Sequence, residues 1–266
     1  MEKEKLKQII ADVENTAKKA GLFIAEEAKK FSVSKVEYKD VNNVVSYVDK
    51  EAEKMIVASL SELLPSAGFI TEEGTADTDD LDALNWIIDP LDGTANFIHG
   101  VPNYSVSLAL AKGKEVLLGV IYHIPADEMY TAIKGNGAFC NGAEIRVAAS
   151  KKLGESLLAT GFPYYKFDHM EDYLQILESL MQKTHGLRRF GSAAIDLAYV
   201  AKGHFDGFYE YNLNSWDMAA GVLLVQEAGG KVTDFKGADN FLFGGDVVAG
   251  NAVHAELLDE INRFWN

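Results

Sequence analysis

Apolar residues recur at helical spacing near the start of the chain, with Lys and Glu residues between them. This amphipathic pattern predicts one long helix over residues 3–30 whose charged face is solvated. Residues 36–40 and 44–49 look extended, and a second helical pattern covers 49–64, with Pro65 directly after it. The positions that we expect this second helix to bury are Ala52, Met55, Ile56, Leu60 and Leu63.

Alternating apolar and polar positions dominate the middle of the chain. Three such segments, 105–111, 116–122 and 129–133, are separated by Gly, Asn, Pro and Asp residues that are typical of tight turns. They predict a meander of antiparallel strands that serves as a scaffold.

Helical and extended patterns alternate after residue 154, which favours an α/β arrangement. The predicted helices are 170–183, 192–202, 216–228 and 255–264, and the predicted strands are 207–211, 232–235 and 247–250. We therefore expect a mixed fold with an antiparallel α+β part over residues 1–148 and an α/β part over residues 149–266.

The pattern changes most sharply within residues 86–100. Trp86 to Ile88 predict a short buried strand, so Asp89 would emerge at its carboxyl end before a turn through Pro90 and Gly93 into a helix. Asp-Gly pairs are common in turns, and Asp or Thr commonly caps a helix, so an ordinary capped turn is the alternative.

The spacing of oxygen donors within this stretch favours a metal site. Asp92 follows Asp89 by three residues, and on a tight turn both carboxylates and the Leu91 carbonyl can converge on a hard cation. The amides of Gly93 and Thr94 would then lie at a helix N-terminus, where unpaired N–H groups favour an anion. Bound cations beside a phosphate-binding site are typical of a centre that cleaves phosphoesters.

The charge balance restricts the class of partner. The chain has 25 Lys and Arg against 40 Asp and Glu, a formal net charge of −15, which repels nucleic acids and anionic membrane surfaces. We expect neither as a partner. A phosphorylated small molecule would need bound cations to enter such a site.

Other features predict the compartment. Cys140 is the single cysteine, so no intrachain disulfide can form, and a reducing environment is the simplest expectation. The charged N-terminus leads into no apolar segment, and no apolar run reaches membrane-spanning length. These features predict a soluble cytoplasmic protein.

Two runs of residues resemble a known family. Asp-Pro-Leu-Asp-Gly-Thr-Ala-Asn-Phe at 89–97 resembles the signature of the inositol monophosphatase family of Mg²⁺-dependent, lithium-sensitive phosphatases. A second signature, Trp-Asp-Met-Ala-Ala-Gly at 216–221 followed by Glu-Ala-Gly-Gly at 227–230, lies at the family's usual place. The resemblance covers nearly the whole chain and implies the family's layered αβαβα sugar-phosphatase fold and a homodimer.

The resemblance also implies a set of metal ligands. Two Mg²⁺ ions, with a third and weaker one through Glu72, would be held by Glu72, Asp89, the Leu91 carbonyl, Asp92 and Asp217. Read locally, Asp217 is a helix cap, a role that a ligand can also have. Glu73 would lie beside these ligands without binding the metal itself. The acidic loop at 77–82 is expected to be solvated surface.

Roles in catalysis follow from the same resemblance. Thr94, oriented by Asp49, would position or deprotonate the attacking water on the metal ion bound by Glu72, and Gly93 and Thr94 would hold the phosphate. Local sequence alone makes Asp49 an ordinary N-cap. Lys39 or Lys35 corresponds to the family's active-site lysine.

Substrate contacts are implied by a third set of residues. Gly191, Ser192 and Ala193 resemble the family's segment beside the substrate ring, and Glu210 resembles its hydroxyl-binding acid. The alternative for Glu210 is an exposed acid at a strand end. The neighbouring Arg188 and Arg189 would either serve an anionic ligand or solvate a loop.

The function expected from the resemblance is hydrolysis of myo-inositol 1-phosphate. A related fructose-1,6-bisphosphatase or 3′-phosphoadenosine 5′-phosphate phosphatase would share the metal core, although Ala-Asn-Phe at 95–97 favours the inositol-type branch. A non-catalytic, metal-dependent binding protein is a third possibility, and it predicts the loss of at least one ligand.

Overall fold

The computed structural model describes residues 3–30, 36–40, 43–76, 78, 80–149, 152–163 and 165–265, and only the backbone of 36–40 and 43–46. Lys35, Asp77 and Asp79 lie outside the described residues, as does the side chain of Lys39. No helix in the described ranges is both long enough and apolar enough to cross a membrane.

Eight α-helices lie within the described residues: α1 Lys3–Ala28, α2 Tyr47–Leu63, α3 Thr94–Ile98, α4 Met170–Lys183, α5 Ala193–Ala201, α6 Ser215–Glu227, α7 Phe241–Gly244 and α8 His254–Ile261. The strands are β1 Val36–Asp40, β2 Asn43–Ser46, β3 Gly68–Thr71, β4 Leu84–Asp92, β5 Ser105–Lys112, β6 Glu115–His123, β7 Glu128–Ile133, β8 Ala138–Cys140, β9 Ala143–Ile145, β10 Leu157–Thr160, β11 Gly186–Arg188, β12 Gly207–Glu210, β13 Lys231–Thr233 and β14 Val247–Gly250.

Two large sheets organise these strands. The first has the order β3-β4-β5-β6-β7-β8-β9, and the predicted meander is confirmed because every pair from β4 onward is antiparallel. At one edge of this sheet, outside the predicted meander, β3 pairs with β4 in parallel. That edge places the ends of both strands side by side.

The second sheet is mixed. Its order is β11-β10-β12-β14-β13, in which β11, β10 and β12 are parallel and β14 runs antiparallel to both of its neighbours. A separate hairpin joins β1 to β2.

Three apolar clusters fill the spaces between five layers, and the largest lies on both sides of α5 and α6. Strand alternation divides the first sheet, so Trp86 and Ile88 pack against α1 and α2 while Ile87 faces α5 and α6. The other side of α5 and α6 packs on the second sheet, whose outer face is covered by α4 and α8. The layered αβαβα fold is therefore confirmed.

Local differences from the expectations have simple causes. Met55 is 41% exposed rather than buried, because it lies at the margin of the apolar face of α2. The short elements β8, β9, β11 and α7 have too few residues to show a period, and the sequence pattern missed them.

Candidate active site

A bulge in β4 brings two acids of the site together. Asp89 pairs with Ser107 and Asp92 with Ser105, so three residue steps on β4 oppose two on β5. Residues three apart on a regular strand face opposite sides, and one extra residue returns them to the same side. The expectation that the strand ends at Asp89 is therefore wrong, because β4 continues to Asp92 through the bulge.

The third acid arrives from the other half of the chain. Asp217 lies in the first turn of α6, where its Oδ2 accepts a hydrogen bond from the Asn214 amide at 2.6 Å in a capping box. Carboxylate oxygens of Asp89, Asp92 and Asp217 all lie within 4.8 Å of one another. Asp217 thus completes the capping box of α6, whose N-cap is Asn214, and also faces the cluster.

Glu72 joins the cluster through the parallel pair of strands. Thr71 of β3 pairs with Ile88 of β4, and the Glu72 amide donates to the Ile88 carbonyl at 3.3 Å. The next residue on each strand is an acid, so Glu72 comes beside Asp89. The buried Oε2 of Glu72 has no hydrogen-bond partner within the described part of the chain.

A residue that the sequence analysis missed fixes the loop after Glu72. Glu53 is fully buried on α2, and its carboxylate accepts hydrogen bonds from the amides of Glu73 and Thr75, both at 2.9 Å. The available signal was its place one helical turn after Asp49, between the buried Ala52 and Ile56.

Thr94 connects α2 to the bulged strand. Its hydroxyl lies 2.9 Å from Asp49 Oδ1 and 2.9 Å from the Leu91 carbonyl oxygen, with one proton for the two acceptors. The N-cap alternative for Asp49 is wrong, because Asp49 is the third residue of α2 and is 1% exposed. Helix α3 is capped by neither Asp nor Thr. Its N-cap is Gly93, in the left-handed conformation with φ of 92°.

Burial and mutual repulsion perturb these acids. Desolvation raises the pKa of Asp92 to about 6 and that of Asp217 to about 7, and the charge of Asp92 adds to the shift at Asp217. Desolvation, followed by the charges of the neighbouring acids, raises the pKa of both Glu72 and Asp89 well above the usual range. A bound cation would relieve both effects.

A cavity of about 220 Å³ opens over this cluster. Glu72, Asp92 and Asp217 line one side of it. Other predicted site residues on its wall are Gly93, Thr94, Gly191, Ser192, Ala193 and Glu210. Asp49, Asp89 and Leu91 do not line the cavity, and all three are buried.

The segment at 191–193 is tied directly to the acid cluster. Asp92 Oδ2 accepts hydrogen bonds from the Ser192 hydroxyl at 2.5 Å and from the Ala194 amide at 2.8 Å. Ser192 also caps α5 by accepting from the Ile195 amide. One side chain therefore joins the start of α5 to Asp92.

Glu210 ends β12 and is buried, so the exposed-acid alternative is wrong. It is 9% exposed, and desolvation raises its pKa to about 8, opposed by the positive charge of Arg189. A Cβ atom at Gly161 would lie 2.1 Å from Glu210 Oε1, so glycine at that point leaves room for the Glu210 carboxyl group. Arg189 lines the same cavity, which favours the anionic-ligand alternative.

Comparisons with known proteins agree with this geometry. A family model described as the inositol monophosphatase family matches residues 5–265. The chain belongs to the inositol monophosphatase family. Membership implies a metal-dependent phosphatase that acts on a small phosphate ester.

Relatives of this inositol monophosphatase family member have two kinds of name. A Mesorhizobium japonicum protein called inositol-1-monophosphatase is 44% identical over 237 residues, covering 89% of each chain. A Pseudomonas aeruginosa protein called Nus factor SuhB is 45% identical over 240 residues, covering 88% of each. A solved structure of the extragenic suppressor protein suhB from Bartonella henselae superposes with a TM-score of 0.90 at 39% identity, covering 96% of this chain and 99% of that one.

The chemistry of the cluster fits the family's need for a metal. Carboxylate oxygens are hard ligands of the kind that Mg²⁺ prefers. The gathered acids also carry raised pKa values, and one of their buried oxygens lacks a hydrogen-bond partner within the described residues. This acidic cluster can therefore hold a metal ion.

Proposed function

We propose that the protein hydrolyses a phosphate monoester with Mg²⁺, and that its substrate is myo-inositol 1-phosphate. One observation carries the proposal. Acids from three separate segments, represented by Glu72, Asp89 and Asp217, meet beside a cavity whose other wall carries the buried Glu210. Family membership supports the phosphatase class, and the polyol is our extension of it.

The metal ligands in this proposal are Glu72, Asp89, the Leu91 carbonyl, Asp92 and Asp217, for two or three Mg²⁺ ions. Such cations, when bound, would supply a water of lowered pKa and offset the negative charge of the phosphoryl oxygens and the leaving alkoxide. The chain would contribute by positioning these oxygen donors, through the pairing of β3 with β4, the bulge of β4 and the capping box of α6.

Thr94 and Asp49 would act as a pair on the attacking water. The Thr94 hydroxyl accepts a proton or a hydrogen bond from the water while donating its own proton toward Asp49, at 2.9 Å. The buried Asp49 holds that hydroxyl in one orientation. Glu72 would complete the catalytic set as a ligand of the metal ion that carries this water.

The two ends of the substrate would be held by different parts of the cavity. Amides of Gly93 and Thr94, in the first turn of α3, would donate to the phosphate. Glu210 would accept from hydroxyls of the polyol, with the segment at 191–193 beside the ring. A carboxylate that accepts from vicinal hydroxyls suits a polyol better than an unsubstituted alkyl chain.

Other functions make different demands on the same residues. A fructose-1,6-bisphosphatase or a 3′-phosphoadenosine 5′-phosphate phosphatase would keep the acids but need a further contact for a second phosphate. A non-catalytic binding protein, a role compatible with the name Nus factor that one relative carries, would tolerate the loss of a ligand. The predicted acids are all present in this chain, which favours catalysis.

The proposal includes an organisation of the chain. Residues 1–148 contain the seven-stranded sheet and most ligands, and residues 149–266 contain the five-stranded sheet, Asp217 and Glu210. We also propose that the protein is a homodimer. Elution at the monomer mass in gel filtration would refute the homodimer.

The test is phosphate release with Mg²⁺ from four esters: myo-inositol 1-phosphate, fructose 1,6-bisphosphate, 3′-phosphoadenosine 5′-phosphate and glycerol 2-phosphate. Each is measured with and without lithium and EDTA. We expect myo-inositol 1-phosphate to give the highest kcat/KM and both additions to inhibit. Preference for another ester would overturn the polyol assignment alone. No release of phosphate from any ester would overturn the proposal that the protein is a phosphatase.

A further inference from the structure

Asp196 is a charged residue in an otherwise apolar helix. The sequence of α5 is Ala-Ala-Ile-Asp-Leu-Ala-Tyr-Val-Ala, and this helix packs between the two sheets. Asp196 is 1% exposed and lines the cavity over the acid cluster. The sequence analysis passed over it because one acid in a helix is ordinarily a surface residue.

One oxygen of Asp196 has nothing in the described residues to bind. Its Oδ1 is buried and has no hydrogen-bond partner there. A buried carboxylate oxygen without a partner is costly, and such groups are conspicuous in native structures. Because the residue borders a cavity, a ligand entering that cavity can supply the missing donor.

The charged groups around Asp196 indicate where in the cavity a ligand would meet it. Glu210 and Asp92 raise its pKa after desolvation, and Arg189 opposes the shift, so these three charged groups share the cavity with it. Its backbone amide donates to the Ser192 carbonyl at 3.0 Å, which sets it one helical turn beyond the residue that binds Asp92. Asp196 therefore borders the same cavity as Glu210 and Asp92, and it is close enough to both for their charges to act on it.

We propose that Asp196 is a second hydroxyl-binding residue, which accepts a hydrogen bond from a substrate hydroxyl other than the one held by Glu210. The inference rests on the proposed function, since it needs a leaving group that carries several hydroxyls. Two buried acceptors in one cavity select a polyol over an alcohol with a single hydroxyl, because the single hydroxyl leaves one buried acceptor unpaired.

The experiment compares Asp196→Ala and Asp196→Asn with the wild-type protein on two substrates. Myo-inositol 1-phosphate offers hydroxyls to the pocket, and 4-nitrophenyl phosphate offers none. We expect Asp196→Ala to raise KM for the inositol ester by about tenfold or more, and to change KM for the aryl ester by less than about twofold. Asp196→Asn keeps an acceptor oxygen, so it should restore most of the lost affinity.

A matched control uses a buried acid far from the cavity. Glu260 is 4% exposed, accepts from Ser179 and pairs with Lys183, and Glu260→Gln should lower thermal stability without changing the ratio of kcat/KM between the substrates. Equal losses on both esters in Asp196→Ala, or no loss on either, would overturn the Asp196 assignment alone. A wild-type protein that cleaves neither ester would overturn the proposed function and this inference together.

Discussion

The Thr94 hydroxyl lies 2.9 Å from a carboxylate oxygen of Asp49, a residue 45 positions earlier in the chain. The contact joins the first turn of α2 to the first residue of α3, the helix that follows the bulge of β4. Since Asp49 is buried, the hydroxyl on the cavity wall has a fixed acceptor behind it. This contact makes the pair the natural place to test the catalytic proposal.

Thr94→Val removes the hydroxyl and keeps the shape of the side chain. We expect kcat to fall by about a hundredfold or more while KM changes little, because the group acts on the water and not on the alcohol. Steady-state phosphate release measures both constants. Thr94→Ser retains a hydroxyl and is the control. A Thr94→Val protein with a kcat near that of wild type would remove Thr94 from the mechanism.

Asp89→Asn or Asp92→Asn should nearly abolish turnover while leaving the fold intact. The substitution removes a charged ligand, yet it also removes a repulsion among buried acids, so the metal-free protein should melt no lower than wild type. Turnover and the Mg²⁺-induced rise in Tm are measured together. Asp127→Asn, at an acid on the protein surface, is the control. Turnover near the wild-type rate would refute the metal assignment.

The stability of the metal-free protein should fall as pH rises from about 6.5 to about 8.5. Burial raises the pKa of Asp217 to about 7 and that of Glu210 to about 8, so the folded state holds protons that the unfolded chain has released. Stability from these groups is complete below about pH 4 and is lost as pH rises through their folded pKa values.

The prediction is confined to about pH 6.5–8.5 because a buried histidine gives the opposite trend at lower pH. Burial lowers the pKa of His254 to about 4, so that group makes the folded state less stable as pH falls below about 6.5, the opposite trend. Urea unfolding in EDTA at constant ionic strength gives the slope, and Mg²⁺ should flatten it. A free energy of unfolding that rises with pH between 6.5 and 8.5 in EDTA would contradict the prediction.

Gly161→Ala should impair recognition of the polyol rather than stability. The new Cβ would lie 2.1 to 2.2 Å from three atoms of the Glu210 carboxyl group, which can move away at little cost because it is the end of a side chain. We expect KM for myo-inositol 1-phosphate to rise by about tenfold, with the aryl ester unaffected. Gly154→Ala is the control, since beyond the adjacent residues an added Cβ would meet only the Lys183 carbonyl oxygen, at an ordinary contact distance of 3.6 Å. Equal KM values for Gly161→Ala and wild type would remove Glu210 from substrate binding.

The sequence by itself determined the elements whose signal is local. Helix α4 spans Met170–Lys183 and strand β14 spans Val247–Gly250, both as predicted, because amphipathic spacing and apolar runs are properties of neighbouring residues. The chain also carries Asp89, Asp92 and Asp217 in two recognisable motifs, whereas Glu72 lies outside both and was predicted only from the family resemblance.

Only the tertiary structure decided how those acids meet and which other acids join them. The bulge that turns Asp89 and Asp92 to one side depends on pairing with β5, which no local pattern shows. Glu53 and Asp196 look like solvated helix residues in the sequence, and packing between layers is what buries them. Periodicity reports which face of an element is apolar, whereas the burial of a charge depends on what packs over it.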